Sequence, residues 1–265
     1  MADRSVELQV QVFRDIEELL ASLAPDDWAA ATECPGWTVQ DNVSHIIGTE
    51  SMLLGREAPA HDPGSKPWVK NPIGEGNEIH VDHRRSWAPE KVLDEFREVT
   101  SERIAALEAM TDDQLSADSW TPVGPGTVRD LLNVRIMDCW VHEQDIRRAV
   151  GRPGGLEGPV AAHAFGRHSG AMGFVVGKKA GAPDGTTVVI DVAGAGTIAV
   201  GVDGKRANVL SAAPDEADVR LSMDLETFNR LCCGRGDVAE VASGVKIEGD
   251  QDLGDRIVQN MNFMI

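Results

Sequence analysis

The stretch "DCWVHEQDIRRA", Asp138 to Ala149, carries an aspartate and a histidine four residues apart in a run otherwise suited to a buried helix. The segment opens at "PGTVRD", where Thr127 and Asp130 have the spacing of a helix-capping pair, with Asp in place of the usual Glu or Gln. "GRPGG" stops it after Val150. At ~100° per residue counted from Thr127, Asp138 and His142 fall in the same sector as Leu131 and Ala149, flanked by Val128 and Ile146. A carboxylate and an imidazole therefore point inward with the apolar stripe. Burying the charge without a partner is costly, so a compensating group is expected beside it.

Three more segments have helical spacing. "VELQVQVFRDIEELLASLAP" aligns Leu8, Val12, Ile16, Leu19, Leu20 and Leu23 before Pro25. "CPGWTVQDNVSHIIGTESMLLGR" repeats the cap with Thr38 and Asp41, and "PEKVLDEFREVTSERIAALEAM" places Pro89 in a first turn ahead of Val92, Phe96, Val99, Ala106 and Leu107. Four helices with one apolar side each predict a four-helix bundle. Between the second and third helices, residues 57–87 are dense in Pro and Gly, which predicts a lid or binding loop, with disorder as the alternative.

Past "GRPGG" the pattern changes. "PVAAHAFGRHSGAMGFVVGKKAG" reads as helix, "TTVVIDVAG", "GTIAVGVDG" and "DVRLSM" as strands, "DLETFNRLCCG" as helix, "VKIEGD" as strand and "DLGDRIVQNMNFM" as a closing helix. The expected fold class is α+β in two domains, a helical bundle over residues 1–153 and a small α/β domain over 154–265.

The 265 residues include 25 Lys and Arg against 43 Asp and Glu, a formal charge of −18 that disfavours nucleic acid and anionic membrane surfaces as partners. No apolar run approaches the ~20 residues that span a bilayer, and "MADRSVELQVQ" lacks the apolar core of a signal peptide, so a cytoplasmic protein is expected, monomeric or a small homo-oligomer. Cys34, Cys139, Cys232 and Cys233 lack paired CxxC spacing, and Cys139 reads as a small core residue. There is no GxGxxG between strand and helix, no GxxxxGK[ST], no GxSxG and no HExxH; the Gly-rich "VAGAGTIAVGVDG" joins two strands.

Counted from Thr38, His45 falls at the edge of its helix's apolar face beside Met52. Two histidines and an aspartate from two facing helices can form a three-ligand metal site with one position open; equally, Asp138 can simply hydrogen-bond His142 or Arg135. Asp145, one turn beyond His142, can orient a ligand histidine or pair with Arg148. His61, His80, His83, His163 and His168 have no partner at ligand spacing and are expected at the surface, where a loop histidine near an open metal position could act as a base. Glu143 and Gln144 read as solvated.

"GWTVQDNVSHIIG", "GNEIHVDHRRSWAPEKVLDEFREVTSERIAAL" and "RIMDCWVHEQDIRRAVGRPGG" closely resemble the mycothiol-dependent maleylpyruvate isomerase family over roughly residues 5–155, and the second half resembles that family's smaller sterol-carrier-protein-like α/β domain. The resemblance implies a DinB-like four-helix bundle holding a divalent metal, usually zinc, through a histidine on the second helix and a carboxylate-x-x-x-histidine pair on the fourth. Those fall on His45, Asp138 and His142. The family's best-known isomerase carries Glu where this chain has Asp138, one methylene shorter. The resemblance also implies an arginine of the C-terminal domain that binds or polarises substrate; Arg235 in "LCCGRGD" is the candidate, with Arg230 and Arg256 as alternatives. The implied chemistry uses mycothiol as thiol cofactor or co-substrate: a zinc-bound thiolate attacks a small electrophile, giving cis-trans isomerisation if the adduct collapses after bond rotation and S-conjugation if it persists. A non-enzymatic small-molecule binding or sensor module, and a metal-dependent hydrolase with water in the open position, are the competing functions.

Overall fold

The computed structural model describes residues 3–204 and 206–264. The chain is α+β and divides into two units, Met1–Gly155 and Leu156–Ile265. In the first, α1 (Arg4–Ala21), α2 (Val39–Leu53), α3 (Pro72–Arg84), α4 (Pro89–Glu108), a one-turn α5 (Asp112–Leu115), the hairpin β1 (Asp118–Thr121) and β2 (Gly124–Thr127), and α6 (Val128–Ala149) follow in order. α1 packs against α4 and α6, and α2 packs against the same two helices. Phe13, Ile16, Ile46, Ile47, Phe96, Ile136 and Ile146 are among the side chains buried in this unit.

The caps form as their spacing predicts. Thr38 accepts from the Asp41 N–H while the Asp41 carboxylate accepts from the Thr38 N–H, and Thr127 and Asp130 do the same at the start of α6. Each such cap contributes about 1 kcal/mol and fixes the helical phase of everything after it. α6 is enclosed on nearly every side. Between Val134 and Ile146 only Asp138 keeps partial exposure, so the solvated face expected for Glu143 and Gln144 does not exist: they are 1% and 4% exposed. The chain after α6 turns back over it, with Trp140 Nε1 donating to Gly155 O at 2.8 Å and Glu143 accepting from Arg147 at 2.7 Å. Gly155 has φ +70°, and a Cβ there would stand 2.8 Å from Glu143 Oε1, so this close return requires glycine.

Two sequence readings need correction here. The region between α2 and α4 is not one long loop, because α3 occupies Pro72–Arg84, capped by Asn71. α3 escaped the periodicity test because its fully buried residues are Glu78, Val81 and Arg84, two of them charged. Its closeness to α2 depends on Gly48, whose hypothetical Cβ would lie 2.4 Å from His80 Cβ. The turn before α6 is a small antiparallel hairpin, with Asp118 opposite Thr127.

The second unit begins with α7 (Gly158–Phe174), which ends in a wide turn over Val175–Lys179. Its five-stranded sheet has the order β5-β4-β3-β6-β7, built from β3 (Thr187–Ala193), β4 (Gly196–Asp203), β5 (Arg206–Val209), β6 (Val219–Asp224) and β7 (Lys246–Gly249). β3 and β6 are parallel and the other pairs antiparallel. α8 (Leu225–Cys233), α9 (Val238–Ala242) and α10 (Gln251–Gln259) complete the unit. The edge strand β5 is only four residues long and mostly exposed, and pattern reading passed over it. All four cysteines are buried and outside any disulfide. Cys139 is a core residue as read, its thiol pushed up to about 12 chiefly by burial. No described helix is long and apolar enough to cross a membrane.

His168, expected at the surface, is fully buried in this unit, with Nε2 3.0 Å from Asn229 Oδ1 and its ring against Phe228 and Phe263. Burial pushes its pKa down to about 4. An unfolded histidine takes a proton near pH ~6.5, so the folded state gains no proton until well below that, and stability present above the unfolded pKa is lost as pH falls toward 4. The penalty reaches roughly 3 kcal/mol. His168→Gln should therefore flatten the decline of the thermal transition between these pH values; an unchanged pH dependence in the variant would contradict this account.

Candidate metal centre

α2 and α6 bring His45, Asp138 and His142 together. His45 Nε2 is 3.1 Å from Asp138 Oδ2, and His142 Nε2 is 3.7 Å from Asp138 Oδ1. One ligand atom from each of the three residues lies within 4.8 Å of the others. A tetrahedral ion with bonds of ~2.1 Å holds its ligand atoms ~3.4 Å apart, so the donor set has the dimensions such an ion requires. The histidines are each 6% exposed, whereas the Asp138 side chain is 22% exposed and marks the open side.

The protonation states also suit a cation. Burial pushes the Asp138 carboxyl up, but Arg135, then His142 and His45, outweigh it and hold the group well below the usual carboxylate range. Burial lowers the His45 imidazole despite the opposing pull of Asp138, which favours the neutral ligand form. Behind Asp138 runs a buried chain of alternating charge: Arg135 Nη1 donates to Asp138 Oδ2 at 2.5 Å, Arg135 Nε to Glu50 Oε1 at 2.8 Å, and Arg103 Nε to Glu50 Oε2 at 3.0 Å. The hydrogen bond of Asp138 to Arg135, one of the simpler alternatives read from sequence, is thus present together with the ligand cluster.

On its other side, His142 Nδ1 is 2.7 Å from Asn42 Oδ1 and 3.3 Å from Asp145 Oδ2. Cys34 Sγ is 3.1 Å from Asp145 Oδ2, so Cys34, His142 and Asp145 form a second group of ligand dimensions. This second group is closed: all three residues are buried, and Asp145 already accepts from Cys34 and from Arg148. Asp145 thus meets both expectations, contacting the ligand histidine and pairing with Arg148. Over the ligands lies Trp37, with ring centroids 5.3 Å from His45 and 5.8 Å from His142. Its Nε1 and that of Trp68 both donate to Glu78 Oε1, at 2.7 and 2.8 Å.

Asn42, Cys34, Trp37, Glu50 and Arg103 were missed in the sequence. Asn42 could have been found, since it is a polar residue about one turn from His45 on α2; Glu50 lies on a different side of that helix, and Cys34 and Arg103 come from segments whose approach only the fold reveals. Of the remaining histidines, His61 bonds Asp82 at 2.7 Å, and His80 and His83 lie in α3 rather than in a loop. His80 is half-buried, its pKa pushed down to about 4 by burial. Among the described residues none of these three, nor His163 or His168, joins a three-ligand group. Arg235 follows α8 in the second unit, where its Nη1 donates to Cys233 O at 3.1 Å; Arg230 lies in α8 and Arg256 in α10.

Comparison with known proteins bears on this geometry. Residues 10–147 match the family described as mycothiol maleylpyruvate isomerase N-terminal domain, and residues 162–256 match the MDMPI C-terminal domain. The crystal structure of the mycothiol-dependent maleylpyruvate isomerase superposes with a TM-score of 0.60 at 16% identity, covering 92% of this chain and 91% of that one. A histidine-to-alanine mutant of that isomerase superposes at 0.55 with 17% identity and the same coverage. These show a shared fold. Two uncharacterized proteins from strains of Mycobacterium tuberculosis are each 25% identical over 141 residues, 52% of this chain and 52% of their own length. The chain thus spans about half the length of the curated relatives it matches.

Removing Arg135 tests the charge chain. Arg135→Leu leaves Asp138 and Glu50 short of a buried cationic partner and should cost roughly 3–5 kcal/mol, read from the shift of the denaturant midpoint. A midpoint within experimental error of the wild type would show that the chain does not carry the ionised Asp138.

Proposed function

Because the chain belongs to the mycothiol maleylpyruvate isomerase family, we propose that it is a thiol-dependent metalloenzyme acting on a small electrophile. The observation that carries this reading is the convergence of His45 Nε2, the Asp138 carboxylate and His142 Nε2. Two imidazoles and one carboxylate suit zinc, and three protein ligands leave a position for an exchangeable fourth. When bound, the metal supplies a positive charge that favours the thiolate over the thiol of mycothiol at neutral pH.

The chain's own residues do the rest. Asp138 Oδ2 accepts from Arg135 and lies beside His45 Nε2 while Oδ1 faces His142, so the guanidinium keeps ionised the carboxylate that would hold the ion. Trp37 covers the imidazoles and excludes water from that side, so charge at the site is felt more strongly. The thiol and the electrophile approach on the exposed side of Asp138, where proximity replaces a bimolecular encounter. The outcome is cis-trans isomerisation of the maleylpyruvate type if the adduct collapses after rotation about the former double bond, or S-conjugation if it persists. Arg235 is proposed, from the family resemblance, to bind an anionic group of the electrophile.

Purified protein should contain about one divalent ion per chain, and His45→Ala or His142→Ala should lose it. Consumption or isomerisation of electrophile should then need both the ion and mycothiol. Arg235→Ala should raise KM for an anionic electrophile while Arg230→Ala and Arg256→Ala leave it within a few-fold. Absence of a stoichiometric ion together with unchanged metal content in His142→Ala would sink the metal reading. Turnover needing metal but no thiol would select a hydrolase, and metal binding with no thiol use across a panel of electrophiles would select a binding module.

A further inference from the structure

The side of His142 facing away from Asp138 is built from groups whose hydrogen-bonding directions can be deduced one after another. Thr38 O is a carbonyl and can only accept, and Asn42 Nδ2 lies 2.9 Å from it. Thr32 Oγ1 gives its proton to Trp37 O at 2.9 Å, so it too can only accept from Asn42 Nδ2, at 3.1 Å. Both contacts require the amide nitrogen of Asn42 on that side; the reversed amide would set its oxygen against two acceptors. Asn42 Oδ1 must then face His142 Nδ1, 2.7 Å away, and an oxygen there needs a hydrogen on the ring nitrogen. Asn42 is fully buried, so no solvent can relieve a wrong pairing.

We propose that Asn42 is a positioning residue that fixes His142 as the Nδ1–H tautomer, leaving the Nε2 lone pair as the donor directed at the His45 and Asp138 side of the cluster. The assignment rests on the metal reading above for its purpose and on the hydrogen bonds alone for its chemistry. It also accounts for the approach of two acceptors: His142 Nε2 faces Asp138 Oδ1 at 3.7 Å, an arrangement that calls for a cation between or beside them. Asp145 is the rival for this role, since its Oδ2 is 3.3 Å from the same nitrogen. However, the single thiol hydrogen of Cys34 goes to that oxygen at 3.1 Å rather than to Asn42 Oδ1, which lies farther from Sγ at 3.6 Å, and the other carboxylate oxygen is taken by Arg148. The shorter bond, with its amide direction fixed from behind, belongs to Asn42.

The test is nitrogen NMR of the imidazoles in the full-length chain, metal-free, at pH ~8.5 where neutral rings predominate, together with zinc affinity by competition with a chelating dye. Wild type should show His142 with its proton on Nδ1; a proton on Nε2 would overturn the proposal without any variant. Asn42→Leu, which keeps the shape but has no acceptor, should give a mixed or reversed tautomer and weaken zinc ~10–100-fold. Asn42→Asp, which keeps an acceptor toward His142 but sets its second oxygen against Thr38 O and Thr32 Oγ1, should lower stability yet retain the Nδ1–H form. An unchanged tautomer in Asn42→Leu would assign the role to Asp145, and a changed tautomer with wild-type zinc affinity would show that tautomer selection has no bearing on the metal; either overturns the proposal. The tautomer is read without metal, so absence of zinc binding in wild type would count against the metalloenzyme reading and not against the assignment of the proton.

Discussion

An ionised aspartate enclosed by helices is the constraint around which the first unit is organised. Asp138 cannot be buried alone, and the structure answers with Arg135, Glu50 and Arg103, which with Asp138 make two cations and two anions in alternation. Such a chain is not an economical way to stabilise a bundle, because well-packed apolar residues of similar volume often do as well or better. What it provides is a carboxylate held ionised beside two buried imidazoles, in fixed orientation and with one edge exposed. The helix caps at Thr38 and Thr127 serve the same end by setting the phase in which α2 and α6 present these side chains to each other.

Much of this was legible in the sequence. The two capping pairs and the four-residue spacing of Asp138 and His142 brought the candidate ligands onto facing helices, and the stretches around His45 and Asp138 carried the family likeness. Beyond the linker, β-branched runs and their turns placed most of the sheet. Other features were hidden for identifiable reasons. α3 is held by Glu78, Arg84 and the glycine contact at Gly48 rather than by an apolar stripe, so a test of hydrophobic period could not find it. Glu143 and Gln144 looked solvated because phase on a single helix does not reveal that a later turn folds back over it. His168 looked like a surface residue because its partner Asn229 is distant in sequence. Asn42 and Cys34 required knowledge of which segments approach the back of His142.

The place of Asp138 deserves comparison with the glutamate of the family's best-known isomerase. One methylene fewer shortens the reach of the carboxylate from α6, and here the shorter side chain shares an oxygen with Arg135. A carboxylate that divides its charge between a guanidinium and a metal is a weaker donor than one devoted to the metal.

On the proposed reading the metal belongs among His45, Asp138 and His142, with the Cys34 side of His142 reserved for hydrogen bonding. X-ray absorption of the zinc-loaded protein, before any thiol is added, tests this most directly. The account expects only nitrogen and oxygen neighbours at ~2.0–2.2 Å, with the outer-sphere signature of two imidazoles. A sulfur neighbour at ~2.3 Å in the thiol-free protein would place the ion against Cys34 and contradict it.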